Sequence, residues 1–324
     1  MRCDAGGMVV SRLIAFRCLS ALATLLVVSA IIFWMVEWLP GDTAERLLGR
    51  DATAAGLAAL RDKLQLGVSP WSRYGHWLVA FVQGDLGTSV SSGRPVADVL
   101  AGPSANTLLL TGVVLVLYFP LSLGLGVWSA VRQGGVADHV VLLFTLIGMC
   151  IPEYVVAIAL TSVFAVKFGW LPPLALIDQA HTLPELIRTL ALPTITLTAA
   201  MTAYGVRMTR ECLIDVLRSG YVDMAHLKGI APHRVLFLHA LPNALGPALN
   251  VTALNIAWLT GGIVIVETIF NFPGLGRLLV DAINIKDVPV ILAVSLLLTG
   301  VYVLCNLLAD IGSLIFNPKL RSVR

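Results

Sequence analysis

Polar side chains inside long apolar segments are the residues of this chain whose chemistry could serve a function. Glu153 follows Pro152 within one such segment, Asn250 and Asn255 lie in a later one, and Asn306 lies in the last. Polar groups are costly in a bilayer and usually face the interior of a helix bundle or water. We therefore expect Glu153 and the three asparagines to line a pathway through the membrane. The alternatives are interhelical hydrogen bonding for the asparagines and packing for Glu153.

The other reactive residues show no pattern of a catalytic or metal site. His226, His233 and His239 are seven and six residues apart with Pro232 in between, unlike the closely spaced ligands of zinc sites. No lysine follows a glycine, so the sequence lacks the phosphate-binding loop of a nucleotide site. The five cysteines fall in segments expected in the membrane or the cytoplasm, which gives no disulfide framework. The sequence predicts a protein that is not an enzyme, without a cofactor, a metal site or an ATP site of its own.

Composition places these residues in a membrane protein. Of the 324 residues, 57% are hydrophobic and only 13% are charged, against about 25% charged in soluble domains. The net charge of +3 is too small to indicate a nucleic-acid partner. A bilayer core needs roughly 20 apolar residues of helix. Six segments meet this test and predict an all-α protein with six transmembrane helices: 13–36, 107–131, 140–166, 190–208, 248–269 and 289–315.

Basic residues in short loops predict the orientation of the chain, because such residues are retained on the cytoplasmic side. With six crossings, the N-terminal tail, the second-to-third connection, the fourth-to-fifth loop and the C-terminal tail share one face. They carry Arg2, Arg12 and Arg17; Arg132; Arg207, Arg210, Arg218, Lys228 and Arg234; and Lys319, Arg321 and Arg324. Both termini are therefore predicted to be cytoplasmic. The first apolar segment is too long for a cleaved signal peptide, so we interpret it as a retained span.

Three regions follow from this topology. Residues 1–105 hold the first span and an external segment, 106–316 form a five-helix core, and 317–324 are a cytoplasmic tail. In the external segment 40–105, leucine spacing predicts a helix over 53–66. An amphipathic aromatic stripe follows, made by Trp71, Tyr74, Trp77, Leu78 and Phe81. The segment is either a cap packed on the bundle or a docking surface for an external partner.

The polar loop 209–246 interrupts the apolar pattern on the predicted cytoplasmic side. Ser219 is expected to cap a short helix over 220–228, and Gly229 to end it in the left-handed conformation. Lys228 then lies where the helix dipole favours a cation, and Pro232 opens another turn. Short capped helices joined by glycine and proline predict a rigid knob. It either docks on another protein or lies as a helix pair in the headgroup region.

The spacing of this loop resembles that of a known family. Ala225, Gly229, His239 and Leu241-Pro242 resemble the "EAA" loop of ABC-importer permeases, in the dipeptide/oligopeptide/nickel branch. Further matching motifs are Leu39-Pro40-Gly41-Asp42, Gly84-Asp85-Leu86-Gly87, Val266-Glu267-Thr268, Phe272-Pro273-Gly274-Leu275-Gly276-Arg277, Asp287-Val288-Pro289-Val290 and Asn317-Pro318-Lys319-Leu320-Arg321. The resemblance covers nearly the whole chain. Asp223-Met224 stand where this branch commonly has a basic residue and Thr, and His226-Leu227 where it commonly has Arg-Ala. The loop therefore carries less positive charge than is usual in the branch.

The resemblance implies a type I ABC-importer permease fold in the bacterial inner membrane. It implies three kinds of partner besides membrane lipid: a second homologous permease, two ATPase subunits that bind ATP, and an external substrate-binding protein. The loop 209–246 would be the coupling loop that contacts an ATPase. Its residues carried over by the motif are Ser219, Tyr221, Ala225, Lys228, Gly229, His239, Leu241 and Pro242.

The sequence leaves the cargo open. Di- or oligopeptides are the first expectation, and nickel or a metal chelate is the alternative within the same branch. An ion-coupled secondary transporter is a more distant alternative, which would predict paired broken helices in two halves of the chain. Whether two identical or two different permeases pair is also left open.

Overall fold

The computed structural model describes residues 4–38, 53–55, 57–58 and 67–316, and side chains mainly over 16–38, 67–244 and 258–308. Within these ranges the chain is helical, apart from connecting loops and one isolated bridge between Thr88 and Pro95. The predicted helix over 53–66 falls mostly on residues outside the described part. The motifs over 39–42 and 317–321 also lie outside it.

The described residues form eleven α-helices. They are α1 Asp4–Glu37, α2 Pro70–Val82, α3 Val96–Val131, α4 Val136–Cys150, α5 Glu153–Leu160, α6 Leu183–Leu217, α7 Gly220–Leu227, α8 Pro232–Arg234, α9 Leu241–Ile269, α10 Leu275–Ile285 and α11 Val288–Phe316. Two π-helical stretches, Thr161–Lys167 and Val235–Ala240, extend α5 and α8, and a 3₁₀ turn forms at Ile177–Gln179.

Four helices in the described part are long and apolar enough to cross a membrane. These spans are Phe16–Glu37, Val96–Val131, Leu183–Leu217 and Val288–Leu308, and the bent pair α4–α5 makes a fifth if it is counted as one. Helix α9 contains 29 residues, but side chains are described for only part of it, where Trp258–Ile269 is apolar. The count of six transmembrane helices therefore stays a prediction.

The third predicted span is not one continuous helix. It breaks between Cys150 and Glu153 with a bend of 102°. Ile151 and Pro152 have extended backbones, with ψ of 120° and 148°. Proline disfavours helical geometry in the residue before it and cannot donate the hydrogen bond that would continue the helix. Glu153, expected midway along a span, is instead the first residue of a separate helix.

Helices α3, α6 and α9 form the centre of the bundle. Their buried side chains include Leu110 and Tyr118 of α3, Leu197 of α6, and Leu259 of α9. Helices α3 and α6 approach closely at Gly205, where a Cβ would lie 2.6 Å from the Tyr118 hydroxyl. A glycine is needed there because any side chain would overlap the tyrosine.

The aromatic stripe between the first two spans packs against α1. The rings of Trp71 and Trp34 lie 4.6 Å apart, and those of Tyr74 and Phe33 lie 5.2 Å apart. Arg73 also pairs with Glu37 at the end of α1. These contacts make α2 a cap on the end of the first helix. Trp71 nevertheless keeps 70% of its surface exposed.

Candidate functional site

The polar loop 209–246 begins as the last turns of α6 and continues as a compact set of short helices. Helix α7 covers Gly220–Leu227, and Gly229 follows it with a φ of +75°. The Ile230 N–H bonds the Ala225 carbonyl at 3.2 Å, which closes the helix end. Pro232 is the first residue of α8. The predicted helix, its left-handed glycine and the proline start are thus confirmed, with the helix one residue shorter than expected.

The Ser219 side chain does not cap α7, which corrects the expectation. Ser219 holds the N-cap position with extended backbone angles, but its hydroxyl donates to the Val216 carbonyl of the preceding helix. A serine hydroxyl bonds either backwards to a carbonyl or forwards to a free N–H. Here the sharp turn out of α6 brings the Val216 carbonyl within reach, and the backward bond forms.

An apolar cluster holds the short helices together. Leu213 of α6, Val222 and Ala225 of α7, and Val235 and Ala240 after α8 are all buried in it. Ala130, at the end of α3, belongs to the same cluster and anchors it to the bundle. The segment from Leu213 to Ala240 is therefore a packed knob rather than a flexible tether. We call it the loop knob.

The outward face of α7 presents apolar side chains. Tyr221, Met224 and Leu227 are 47%, 55% and 81% exposed, and Phe237 and Leu238 add to the exposed apolar surface of the loop knob. Exposed apolar surface that clusters on one feature marks a contact site. The departures from the family pattern at 223–224 and 226–227 all fall on exposed positions of α7. They alter the surface that a partner would meet and leave the buried core unchanged.

The other predicted loop residues divide between core and surface. Ala225 is buried in the cluster, whereas Lys228 and Pro242 are exposed. His239 and Leu241 are half-buried at the start of α9. The His239 carbonyl accepts from the Tyr221 hydroxyl at 3.5 Å and from Asn243 at 2.7 Å. These bonds tie α7 to the start of α9.

A cavity of about 510 Å³ brings together two of the four predicted pathway residues. Glu153 and Asn255 both line it, together with the aromatic side chains of Tyr204, Trp258 and Tyr302. Helices α5, α6, α9 and α11 each contribute a wall. Pockets of this size with few polar groups among aromatic ones are typical of ligand sites.

The other two pathway candidates are not placed in this cavity. Asn306 donates a hydrogen bond to the Tyr302 carbonyl at 3.0 Å. This bond lies within α11 and does not join it to another helix. Asn250 lies within α9, but its side chain is outside the described part of the chain. The Asn255 carboxamide, which does line the cavity, donates to the Tyr118 hydroxyl at 3.3 Å. Asn255 therefore lines the cavity and also forms an interhelical hydrogen bond.

Asp138, which no sequence motif indicated, forms a buried ion pair beside the loop knob. Its side chain is 2% exposed and faces the Arg210 guanidinium. The Gly134 N–H also donates to it at 2.9 Å. The sequence signal was an acidic residue at the start of an apolar helix, a position that helix dipoles favour. Nothing in the sequence pointed to Arg210 as its partner.

Two further buried carboxylates, Glu267 and Asp287, belong to motifs that the chain shares with the permease branch, and the structure gives each a role in packing. Glu267 accepts from the Thr107 hydroxyl at 2.6 Å and from the Gly276 N–H at 2.7 Å. It thereby binds the start of α10 to α3 and α9. Asp287 accepts from Ser89, Val90 and Ser91 over 2.7–3.1 Å. It holds the loop before α3 against the start of α11.

Comparison with known families identifies this arrangement. Residues 122–322 match the family described as "Binding-protein-dependent transport system inner membrane component", and residues 10–119 match the N-terminal model of the same kind of component. The chain belongs to this family. It is an ABC-importer permease of the inner membrane, as the loop motif indicated. The permease family is one of transport components, and its description names no catalytic activity.

Relatives in several bacteria are similar over almost their whole length. A "Glutathione transport system permease protein GsiC" of Pectobacterium atrosepticum is 36% identical, over 94% of this chain and 97% of the relative. The protein of the same name from Escherichia coli K12 and a "Probable peptide ABC transporter permease protein y4tP" of Sinorhizobium fredii are each 35% identical over the same shares. The similarity therefore includes both the loop knob and the cavity.

Proposed function

We propose that this permease forms half of the translocation pathway of an ATP-driven importer for di- or oligopeptides. In this proposal both termini and the loop knob lie in the cytoplasm, and the segment between α1 and α3 lies outside. A second homologous permease supplies the other half of the pathway. Two ATPase subunits supply the energy, and an external substrate-binding protein delivers the cargo.

The packed loop knob with its exposed apolar face is the observation that carries this proposal. A rigid body can pass on a displacement that a flexible tether would absorb. The knob core includes Leu213 of α6 and Ala130 of α3, so movement of α7 is transmitted to two central helices. Closure of the ATPases on ATP would rock these helices and open the cavity to the outside, and hydrolysis would reset them.

The relatives' names favour a peptide cargo. Glutathione is a small peptide, and the names of both types of relative refer to the transport of peptides or glutathione. A nickel or metal-chelate cargo is the second candidate, because it occurs in the branch that the motifs resemble. The cavity offers one carboxylate and one carboxamide among aromatic rings, a set better suited to an organic ligand than to a bare metal ion.

Two measurements test the proposal. The tagged chain is purified from its native membrane in mild detergent, and co-purifying proteins are identified by mass spectrometry. Peptide uptake is then compared after ATP depletion and after addition of an uncoupler. We expect a second permease and ATPase subunits in the purified material. Peptide uptake should fall after ATP depletion and persist after addition of the uncoupler while ATP is maintained.

The opposite results have a clear meaning. A chain that purifies alone, with uptake abolished by the uncoupler while ATP is maintained, would replace the importer with an ion-coupled transporter. Uptake of nickel or its chelates, without uptake of peptides, would keep the ATP-driven mechanism and change the cargo. The binding protein encoded with the co-purifying subunits then provides an independent route to the ligand.

A further inference from the structure

The carboxylate of Glu153 projects into the cavity towards α9. Its Oε1 atom lies 3.3 Å from the position that a Cβ would take at Gly262. Glu153 is the first residue of α5, and the break at Pro152 turns α5 away from α4 by 102°. The broken span therefore places this side chain against a neighbouring helix, where a continuous helix would have carried it elsewhere.

Glu153 is half-buried, and no hydrogen bond or ion pair joins its carboxylate to the described residues. This differs from the other carboxylates buried in the bundle. Asp138, Glu267 and Asp287 each accept several hydrogen bonds from defined partners. A carboxylate at membrane depth without a partner is costly, and such groups usually serve a transported ligand. A cationic ligand in the cavity would supply the missing partner.

The surrounding groups define the chemistry of that ligand. Tyr204, Trp258 and Tyr302 line the same cavity as Glu153. Aromatic faces attract ammonium groups through the ring quadrupole, and a carboxylate binds an ammonium group through charge-assisted hydrogen bonds. A divalent metal ion would instead need several oxygen or nitrogen ligands around one point, and the described residues contain no group of three metal-ligating side chains.

We propose that this cavity is a binding site for the α-ammonium end of a peptide, with Glu153 as the residue that recognises the charge. The inference rests on the proposed function and refines it. The permease itself would then select peptides with a free amino terminus, in addition to any selection by the binding protein. A cavity of about 510 Å³ is within the range of small-ligand sites.

The test measures binding to the permease in the absence of the binding protein. The assembled importer is purified in nanodiscs and labelled with the photoreactive tripeptide Ala-Ala-benzoylphenylalanine or its N-acetylated form. Mass spectrometry locates the label on the peptides of this chain. The free-amino form is expected to label the wild-type importer at least about tenfold more than the acetylated form, as one charge-assisted hydrogen bond predicts.

Two variants make the assignment specific. Glu153→Gln keeps the size of the side chain and removes its charge, and it is expected to lower labelling by the free-amino form to that of the acetylated form. Glu185→Gln is the matched control, because Glu185 accepts bonds in the capping box of α6 and a glutamine can take that role. It should label like the wild type.

Each contrary outcome is decisive. Equal labelling by the two forms, or unchanged labelling of Glu153→Gln, would overturn the site. If nickel ions reduced the labelling and unlabelled trialanine did not, the choice of ligand would be overturned. ATP-dependent uptake of trialanine into proteoliposomes that contain the same importer, with its binding protein added, reports separately on the proposed function. Failure of the site and failure of the importer assignment are thereby distinguished.

Discussion

Arg210 donates two parallel hydrogen bonds to Asp138, from Nε at 2.6 Å and from a terminal nitrogen at 2.7 Å. The Ser129 hydroxyl and the Gly134 N–H donate to the same carboxylate. Arg210 lies one turn before Leu213, which is buried in the core of the loop knob. The pair therefore connects the turn between α3 and α4 to the helix that leads into the knob.

We expect Asp138→Asn to destabilise the permease by several kcal/mol. The substitution leaves the Arg210 guanidinium, whose side chain is 14% exposed, without a charged partner, and breaking a buried pair typically costs about 3–5 kcal/mol. The measurement is the thermal unfolding midpoint of the purified importer. Stimulation of its ATPase activity by substrate should weaken as well, because the helix that leads into the knob loses its buried ion pair with the turn between α3 and α4.

Glu211→Gln is the control for the loss of charge on the same helix. Glu211 pairs with Arg207 at 2.9 Å, but both side chains are at least 40% exposed. Exposed pairs of this kind contribute less than about 0.5 kcal/mol, so the midpoint should barely change. Equal shifts in the two variants would mean that the Asp138 pair is not a structural connection.

Gly229→Ala should impair transport by straining the end of α7. Gly229 has a φ of +75°, and an L-residue in this conformation costs about 1–2 kcal/mol. Gly220→Ala is the matched control, since Gly220 has no positive φ and no described atom lies within 4 Å of an added Cβ. ATP-dependent uptake and the amount of inserted protein are measured together. Loss of uptake with normal insertion is expected only at Gly229.

Local signals in the sequence were sufficient to predict the loop knob. Helix α7, the left-handed Gly229 and the start at Pro232 each depend on residues within one or two turns. The apolar segments likewise marked the helices, because a bilayer requires long apolar runs. Ser219 shows the limit even at short range: its hydroxyl had two possible partners, and the geometry of the turn selected Val216.

Features that depend on distant residues could not be predicted in this way. Arg210 and Asp138 are far apart in the sequence, and only the packing of α4 on α6 brings them together. The break at Pro152 had a visible cause, but the 102° bend that sends Glu153 towards α9 depends on the neighbouring helices. The positions of the predicted pathway residues therefore depend on the whole fold, whereas the structure of the loop depends mainly on its own segment.

Asp287→Asn should release the loop that precedes α3. Asp287 is buried and accepts from the Ser89 hydroxyl at 2.7 Å and from the N–H groups of Val90 and Ser91. An amide presents only one acceptor oxygen and an unwanted donor, so at least one of these bonds is lost. We expect faster amide exchange and faster proteolysis over residues 88–95.

Asp281→Asn provides the comparison for this loop. Asp281 is 60% exposed and faces Arg277 at 3.5 Å on the surface of α10. Its replacement should leave the exchange of residues 88–95 unchanged, because no bond to that loop is lost. Unchanged exchange in Asp287→Asn as well would remove Asp287 as the residue that fixes the loop.

Gly274→Ala should destabilise the start of α10, because a Cβ at this position would overlap the Glu267 carboxylate. Moving the carboxylate weakens its bonds to Thr107 and Gly276, and a buried group left without partners costs about 1–3 kcal/mol. Gly261→Ala is the control, since no described atom lies within 4 Å of the new Cβ. A lower unfolding midpoint is expected only for Gly274→Ala, and equal midpoints would contradict the role of Glu267.

Leu227→Ser tests whether the exposed face of α7 contacts an ATPase. Leu227 is 81% exposed, so its loss should not lower the stability of the permease itself. In a buried contact, however, a leucine side chain contributes about 1.5–3 kcal/mol, enough to reduce the amount of ATPase that co-purifies. Leu183→Ser, at a 69% exposed leucine at the opposite end of α6, is the control. If both variants retain the ATPase equally, α7 is not the docking surface. Any contact of the loop with an ATPase would then have to involve other residues of the knob.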